Sequence, residues 1–218
     1  MKVQLQGDVW ESLFPHAFTL MAEVRKHGGI EPYWTFGGGT VLMLRYRHRF
    51  SRDIDLFVPD PQYLGFVTPR LSNAAEAITT DYVEQGNFVK LVLDAGEVDI
   101  VASPNLTNDP FEVWEIMGQP VKVETAAEIV AKKLYHRGDR ATARDLFDLA
   151  VVVEQAPEAL AGAAPFLLRH AQTFMRQVEA GPPTMREQFD RIQRIDFHRG
   201  FDDCVVLARE FLATLPVT

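Results

Sequence analysis

Residues 33–57 read YWTFGGGTVLMLRYRHRFSRDIDLF. The aromatic-rich segment 33–36 has strand character. Gly37, Gly38 and Gly39 break it. Residues 40–46 follow with helical spacing, Val41 and Leu44 facing inward. Arg45, Arg47, His48, Arg49 and Arg52 then crowd into eight residues. Residues 53–58 form the next strand, stopped by Pro59-Asp60-Pro61. Strand, glycine turn, short helix and strand in such close succession predict a mixed α/β unit. The two aspartates of the second strand, Asp53 and Asp55, are its chemical feature.

Working outward, residues 8–27 read as a helix. Asp8 followed by Glu11 resembles a capping box, and Trp10, Leu13, Phe14, Phe18, Met21 and Val24 form an apolar stripe. Gly28-Gly29 ends it. Residues 70–80 look helical. Residues 88–93 and 97–101 make two strands around Asp94-Ala95-Gly96, a hairpin with glycine in its turn. Residues 103–120 read as irregular, broken by Pro104, Pro110 and Pro120. Thereafter the character is helical. Thr125 and Glu128 form a second capping box, and Gly138 closes that helix. Thr142 caps the next, 143–154, with Leu146, Phe147, Leu149, Ala150 and Val153 buried. Residues 157–180 and 184–215 read as further helices around Gly181-Pro182-Pro183. The expected organisation is a mixed α/β half over 1–120 and an all-helical half over 121–218.

Bulk properties bound the class. A chain of 218 residues that is 47% hydrophobic can bury a sizeable core, which argues against disorder. The net charge of −8 argues against a protein that coats nucleic acid generally, though not against a local basic patch. Cys204 is the sole cysteine, so no internal disulfide and no cysteine zinc site can form. The N-terminus lacks a signal-peptide succession, and no apolar run approaches the ~18 residues of a membrane span. A bacterial-type cytoplasm, with no membrane, is the expected location.

Asp53 and Asp55 lie two residues apart, so in a strand both point to one face. Two carboxylates there repel unless a cation or partner lies between them. Such oxygen ligands suit Mg²⁺, or Mn²⁺ in its place. The alternative is a strand edge whose aspartates pair with nearby arginines. Asp99 lies in the second hairpin arm, in phase with Glu97 and Val101 and out of phase with Val98 and Ile100. If that arm pairs near the Asp53 strand, Asp99 joins the other two; otherwise it belongs to a solvated face. Gly37 to Gly39 offer backbone N–H groups at a helix start, where a phosphate could bind, or only a tight turn. The run lacks the lysine of a Walker loop. Arg45, Arg47, His48, Arg49 and Arg52 could contact phosphate or an RNA backbone, or form a solvated loop. Ser51 could bind a phosphate or orient an aspartate. Lys132, four residues from Glu128, reads as a surface ion pair. Lys133 runs beside the apolar stripe, with Arg137 one turn on, and is a candidate phosphate ligand. Asp145 reads alternatively as favourable charge in a helix first turn, and Arg144 with Asp148 as an i,i+4 pair.

Taken together, these residues resemble the AbiEii/AbiGii toxin nucleotidyltransferases, within the superfamily that shares its catalytic core with DNA polymerase β. The resemblance rests on Gly38-Gly39-Thr40, Ser51-Arg52-Asp53-Ile54-Asp55, Asp99, Lys133-Leu134 with Arg137, and Arg144-Asp145-Leu146-Phe147-Asp148-Leu149. It spans residues 33–150; Thr40 stands where serine is commoner. It implies an α+β fold: a small mixed β-sheet nucleotidyltransferase core flanked by helices, then a helical C-terminal domain that closes the nucleotide cleft. It implies transfer of NMP from an NTP to an acceptor hydroxyl such as a tRNA 3′ end, by a toxin with an antitoxin partner. On that resemblance Asp53 and Asp55 hold Mg²⁺, and Asp99 completes the metal site or acts as base for the attacking hydroxyl. Gly38, Gly39 and Thr40 bind phosphates, with Ser51, Arg52 and Arg137 lining the nucleotide. Lys133 neutralises the triphosphate, and Asp145 orders Lys133 or the nucleoside. Two rival readings stand beside it: the same chemistry on a protein or small molecule, and a non-catalytic nucleotide-binding or interaction protein on the same fold.

Overall fold

The structure is a computed structural model and describes residues 9–29 and 31–216. Asp8, expected to cap the first helix, lies outside the described residues. The chain divides into two compact units. The first is built from residues up to Leu44, Ser51–Asn105 and Phe111–Glu124; the second from Arg45–Phe50, Leu106–Pro110 and Thr125 onward.

The first unit opens with helix α1 (Val9–Gly28), whose apolar stripe becomes its buried face: Trp10, Leu13, Phe14, Ala17, Leu20, Met21 and Val24. Strand β1 (Thr35–Gly37) leads straight into α2 (Gly38–Tyr46), and then come β2 (Ile54–Val58), α3 (Leu64–Val67) and α4 (Asn73–Ile78). Strands β3 (Tyr82–Gln85), β4 (Phe88–Leu93), β5 (Gly96–Ala102), β6 (Phe111–Ile116) and β7 (Gln119–Glu124) complete a seven-stranded mixed sheet of order β3-β4-β5-β2-β1-β7-β6. The fold is α+β.

The sheet explains how the acids are displayed. Along β2 and β5 burial alternates: Ile54, Leu56, Val58, Val98 and Ile100 are fully buried, whereas Asp55, Phe57, Glu97 and Asp99 are half-buried. A one-residue slip of β2 would expose Ile54, Leu56 and Val58, at about 1.5–3 kcal/mol each. That burial locks Asp55 onto the opposite face. β2 and β5 are parallel neighbours, and Asp55 pairs with Asp99.

Residues 103–120 are not irregular throughout. β6 and β7 form an antiparallel hairpin turning at Met117 and Gly118, both at positive φ (50° and 75°). Positive φ at both turn residues suits a tight hairpin; methionine there disguised it. Pro120 is tolerated because the ladder from β7 to β1 centres on Val123, so the proline lies beyond it.

The second unit is helical: α5 (Ala126–Arg137), α6 (Ala143–Gln155), α7 (Pro157–Ala161), α8 (Ala164–Leu168), α9 (Ala171–Ala180), α10 (Pro183–Asp190) and α11 (Phe201–Thr214). Phe147 is its hub, edge-on to Phe189 at 5.5 Å and to Phe197 at 5.1 Å. Arg45–Phe50 runs beside residues 193–196, with Phe50 N–H donating to the Gln193 carbonyl and Ile195 N–H to that of His48. The expected box at the start of α5 is half made. The Glu128 N–H donates to Thr125 Oγ1, but the Glu128 carboxylate turns to Leu106 and Thr107, accepting from both backbone N–H groups and the Thr107 hydroxyl. Lys132 does pair with Glu128, but both are buried, so the pair is not at the surface.

Candidate active site

Asp55 of β2 and Asp99 of β5 stand side by side on the sheet face opposite the buried apolar set. The turn from β1 into α2 is shaped around Asp55. A Cβ on Gly38 would lie 1.8 Å from Asp55 Oδ2, and Gly38 has φ +74°, so glycine is required there twice over. A Cβ on Gly37 would lie 2.2 Å from Glu124 Oε2. The glycines therefore make room for carboxylates, and Asp55 lies against the start of α2, where the helix dipole favours negative charge.

Burial and the neighbouring Asp55 charge push the Asp99 carboxyl up to about 7, against the pull of Lys90. Asp99 Oδ1 is buried without a hydrogen-bond partner. Its other oxygen, Oδ2, lies 3.3 Å from Lys90 Nζ. Lys90 faces Asp99 across the β4–β5 ladder and also contacts Glu97. Asp53, just before β2, turns aside: its Oδ1 accepts the Glu97 N–H at 3.1 Å. Asp55 and Asp99 thus come together, while Asp53 has one oxygen committed to the backbone of the next strand. Among the described residues no group of three or more His, Cys, Asp or Glu side chains is arranged as a metal cluster. The pair nonetheless fits a hard cation: two adjacent carboxylates, one proton-hungry, with an orphaned buried oxygen.

Thr40 and Ser51 pin this region from behind. Thr40 is fully buried, its hydroxyl donates to the Asp53 carbonyl at 2.6 Å, and Ser51 Oγ lies 3.1 Å away. The Ser51 N–H points at Met43 Sδ, 3.2 Å away. Arg52 is exposed. Gly39, in the first turn of α2, is buried.

In the helical unit the other candidates form a charged network. Asp148 is its centre and is fully buried. Arg49 forks onto it, Nε to Oδ1 at 2.7 Å and Nη2 to Oδ2 at 2.8 Å. His48 Nε2 lies 2.8 Å from Oδ1, and Lys133 Nζ donates to Oδ2 at 2.6 Å. Burial pushes the Asp148 pKa up, but the Arg49 and Lys133 charges outweigh it and hold it well below the ordinary carboxylate value. Burial lowers that of His48. Asp145 closes a capping box with Thr142 and takes Arg137 Nη2 at 2.5 Å, with Lys133 at 3.6 Å. Burial raises the Asp145 pKa, but Lys133 and Arg137 outweigh it, leaving it below the ordinary value.

The arginine run is therefore split. Arg47 is exposed and paired with Asp196, whereas His48 and Arg49 are neither solvated nor free for a phosphate, because Asp148 holds both. Asp148 is not the i,i+4 partner of Arg144. Sequence reading passed over Asp148 as a hub, Lys90, and the buried Glu124, whose Oε1 accepts the Thr35 hydroxyl at 2.8 Å. The Lys90–Asp99 pairing was within reach, since a hairpin turning at residues 94 and 95 sets 90 opposite 99.

No helix among the described residues is long and apolar enough to cross a membrane. Solved structures to which the chain is similar include the following three. JHP933 from Helicobacter pylori is 17% identical, with a TM-score of 0.47, over 98% of this chain and 95% of that one. ANT(2″)-Ia in complex with adenylyl-2″-tobramycin is 14% identical, with a TM-score of 0.47, over 73% and 99%. An antigenic nucleotidyltransferase-like protein from Paracoccidioides brasiliensis is 14% identical, with a TM-score of 0.37, over 80% and 91%. No curated protein matches. The family model for the nucleotidyl transferase AbiEii toxin of type IV toxin–antitoxin systems matches residues 19–215, almost the whole chain, and the protein belongs to that nucleotidyltransferase toxin family.

Proposed function

We propose that this protein transfers NMP from an NTP to an acceptor hydroxyl, with an RNA end such as a tRNA 3′ end as acceptor, and that an antitoxin protein restrains it. The observation that carries this reading is the registered Asp55–Asp99 pair beside the glycine-started helix α2. Asp55 and Asp99, with Asp53, are the residues that would hold Mg²⁺ or Mn²⁺. When bound, the cation supplies charge neutralisation for the phosphates in an in-line displacement.

The protein's own groups do the rest. Gly38 and Gly39 direct backbone N–H groups of the α2 start toward phosphate oxygens. Thr40 and Ser51 keep that turn fixed to the Asp53 strand entry, as their hydrogen bonds suggest. Asp99 Oδ1, buried and unpartnered, is the atom that accepts the proton of the attacking hydroxyl. Lys133, which must exchange Asp148 for a phosphate, is assigned to neutralising the triphosphate, Asp145 to ordering Lys133, and Arg137 and exposed Arg52 to the nucleotide.

Incubation with labelled NTPs, Mg²⁺ and total tRNA tests this reading: label on RNA supports it. The net charge of −8 favours a second acceptor class, a protein or small molecule. Label found there and absent from RNA would establish that alternative. A chain whose NTP binding and toxicity on expression survive Asp55→Ala would instead be a non-catalytic binding protein.

A further inference from the structure

We propose that Lys90 is the resident counter-ion of the acidic pair and sets how weakly that pair holds a divalent cation. The proposal rests on the reading of Asp55 and Asp99 as a cation site.

Three observations carry it. The β4–β5 register sets Lys90 directly opposite Asp99, as the β2–β5 register sets Asp55. The three side chains therefore form one row on one sheet face. The Lys90 side chain is only 28% exposed and its ammonium lies 3.3 Å from Asp99 Oδ2, so it is not simply a solvated lysine. Its second partner is Glu97, which lies on the same face one pleat away along β5. Two carboxylates, Asp99 and Glu97, contact this one lysine, and Asp55 lies beyond Asp99 in the same row.

That arrangement is suited to exchange. A lysine is a compact point charge on a flexible stem. It can hold Asp99 Oδ2 while no divalent ion is present. When one binds, Lys90 keeps Glu97 as its partner, so its ammonium is never stranded. Glu97 is thus the alternative seat that makes displacement from Asp99 cheap. A fixed positive charge beside a cation site also lowers the site's affinity directly. Lys90 acts through Asp99 and is a positioning residue, not a catalytic one.

The test is a Mn²⁺ titration of the full, metal-free chain, followed by calorimetry or by the electron paramagnetic resonance of free Mn²⁺. Wild type is compared with Lys90→Gln, which removes the charge and keeps a polar stem, and with Lys90→Arg, which retains the charge. Circular dichroism shows that each variant is folded. Lys90→Gln should bind Mn²⁺ at least about tenfold more tightly than wild type, since a cation no longer works against a neighbouring positive charge. Lys90→Arg should stay within a few-fold of wild type. Unchanged or weaker binding by Lys90→Gln overturns the proposal. Asp55→Asn separates the two ideas. If Asp55→Asn abolishes Mn²⁺ binding and Lys90→Gln does not tighten it, only the role of Lys90 falls. If neither Asp55→Asn nor Asp99→Asn affects Mn²⁺ binding, the cation-site reading falls and the proposal with it.

Discussion

Replacing Asp99 with Asn should stabilise the protein at neutral pH while removing its transfer activity. The native carboxyl titrates at about 7 against an ordinary 3.8. At about 1.4 kcal/mol per pKa unit, ionising Asp99 in the folded chain costs roughly 4 kcal/mol as an upper bound. Its side chain is 20% exposed and the Asp55–Lys90 surroundings can relax, so a gain of about 1–3 kcal/mol from Asp99→Asn is expected. The sign follows from proton counting. Between pH 3.8 and about 7 the folded state holds a proton on Asp99 that the unfolded state has lost. Stability contributed by this group therefore falls as pH rises through that window. The advantage of Asn should be small at about pH 4.5 and complete by about pH 8, above the folded value. Urea unfolding of both proteins in EDTA at those two pH values measures it. An Asp99→Asn protein less stable than wild type at the higher pH would refute the reasoning. So would a difference independent of pH.

Other substitutions probe the remaining parts. Asp148→Ala strands Arg49 and Lys133 in the helical unit and should cost about 3–5 kcal/mol, read by urea unfolding; a loss below about 1 kcal/mol would mean that the network is not what organises that unit. Gly38→Ala drives a methyl into Asp55 Oδ2 at a positive-φ position, so it should destabilise by at least about 1 kcal/mol and displace Asp55, with transfer lost even in the folded fraction. Thr142→Ala removes the N-cap of α6 and should cost about 1 kcal/mol by thermal or urea unfolding.

Much of this was legible before any coordinates. Strong apolar periodicity placed α1, β2, β4, β5 and α6, and the alternation along β5 put Asp99 in phase with Glu97 rather than with Val98 and Ile100. Local spacing also fixed the β4–β5 hairpin, and with it the strand that carries Asp99. What failed depended on information that spacing does not carry. The β6–β7 hairpin was hidden because Met117, an unusual residue at positive φ, holds its turn and because Pro120 is tolerated beyond the β1 ladder. Asp148 gathers His48 and Arg49 from about 100 residues upstream, a pairing that no local pattern encodes. The glycine run was read as a phosphate turn or a tight turn. Its packing reason, making room for the Asp55 and Glu124 carboxylates, appears only when their distances to the missing Cβ positions are known.

The central claim is that Asp55 and Asp99 together carry nucleotidyl transfer. Wild type, Asp55→Asn and Asp99→Asn, each verified as folded, should be incubated with NTPs labelled at the α-phosphate, Mg²⁺ and total cellular RNA, and scored for label in RNA alongside pyrophosphate release. Wild type should label RNA and release pyrophosphate in step only with the divalent ion present, and both variants should do neither. Labelling that persists undiminished in folded Asp55→Asn or Asp99→Asn would contradict the account.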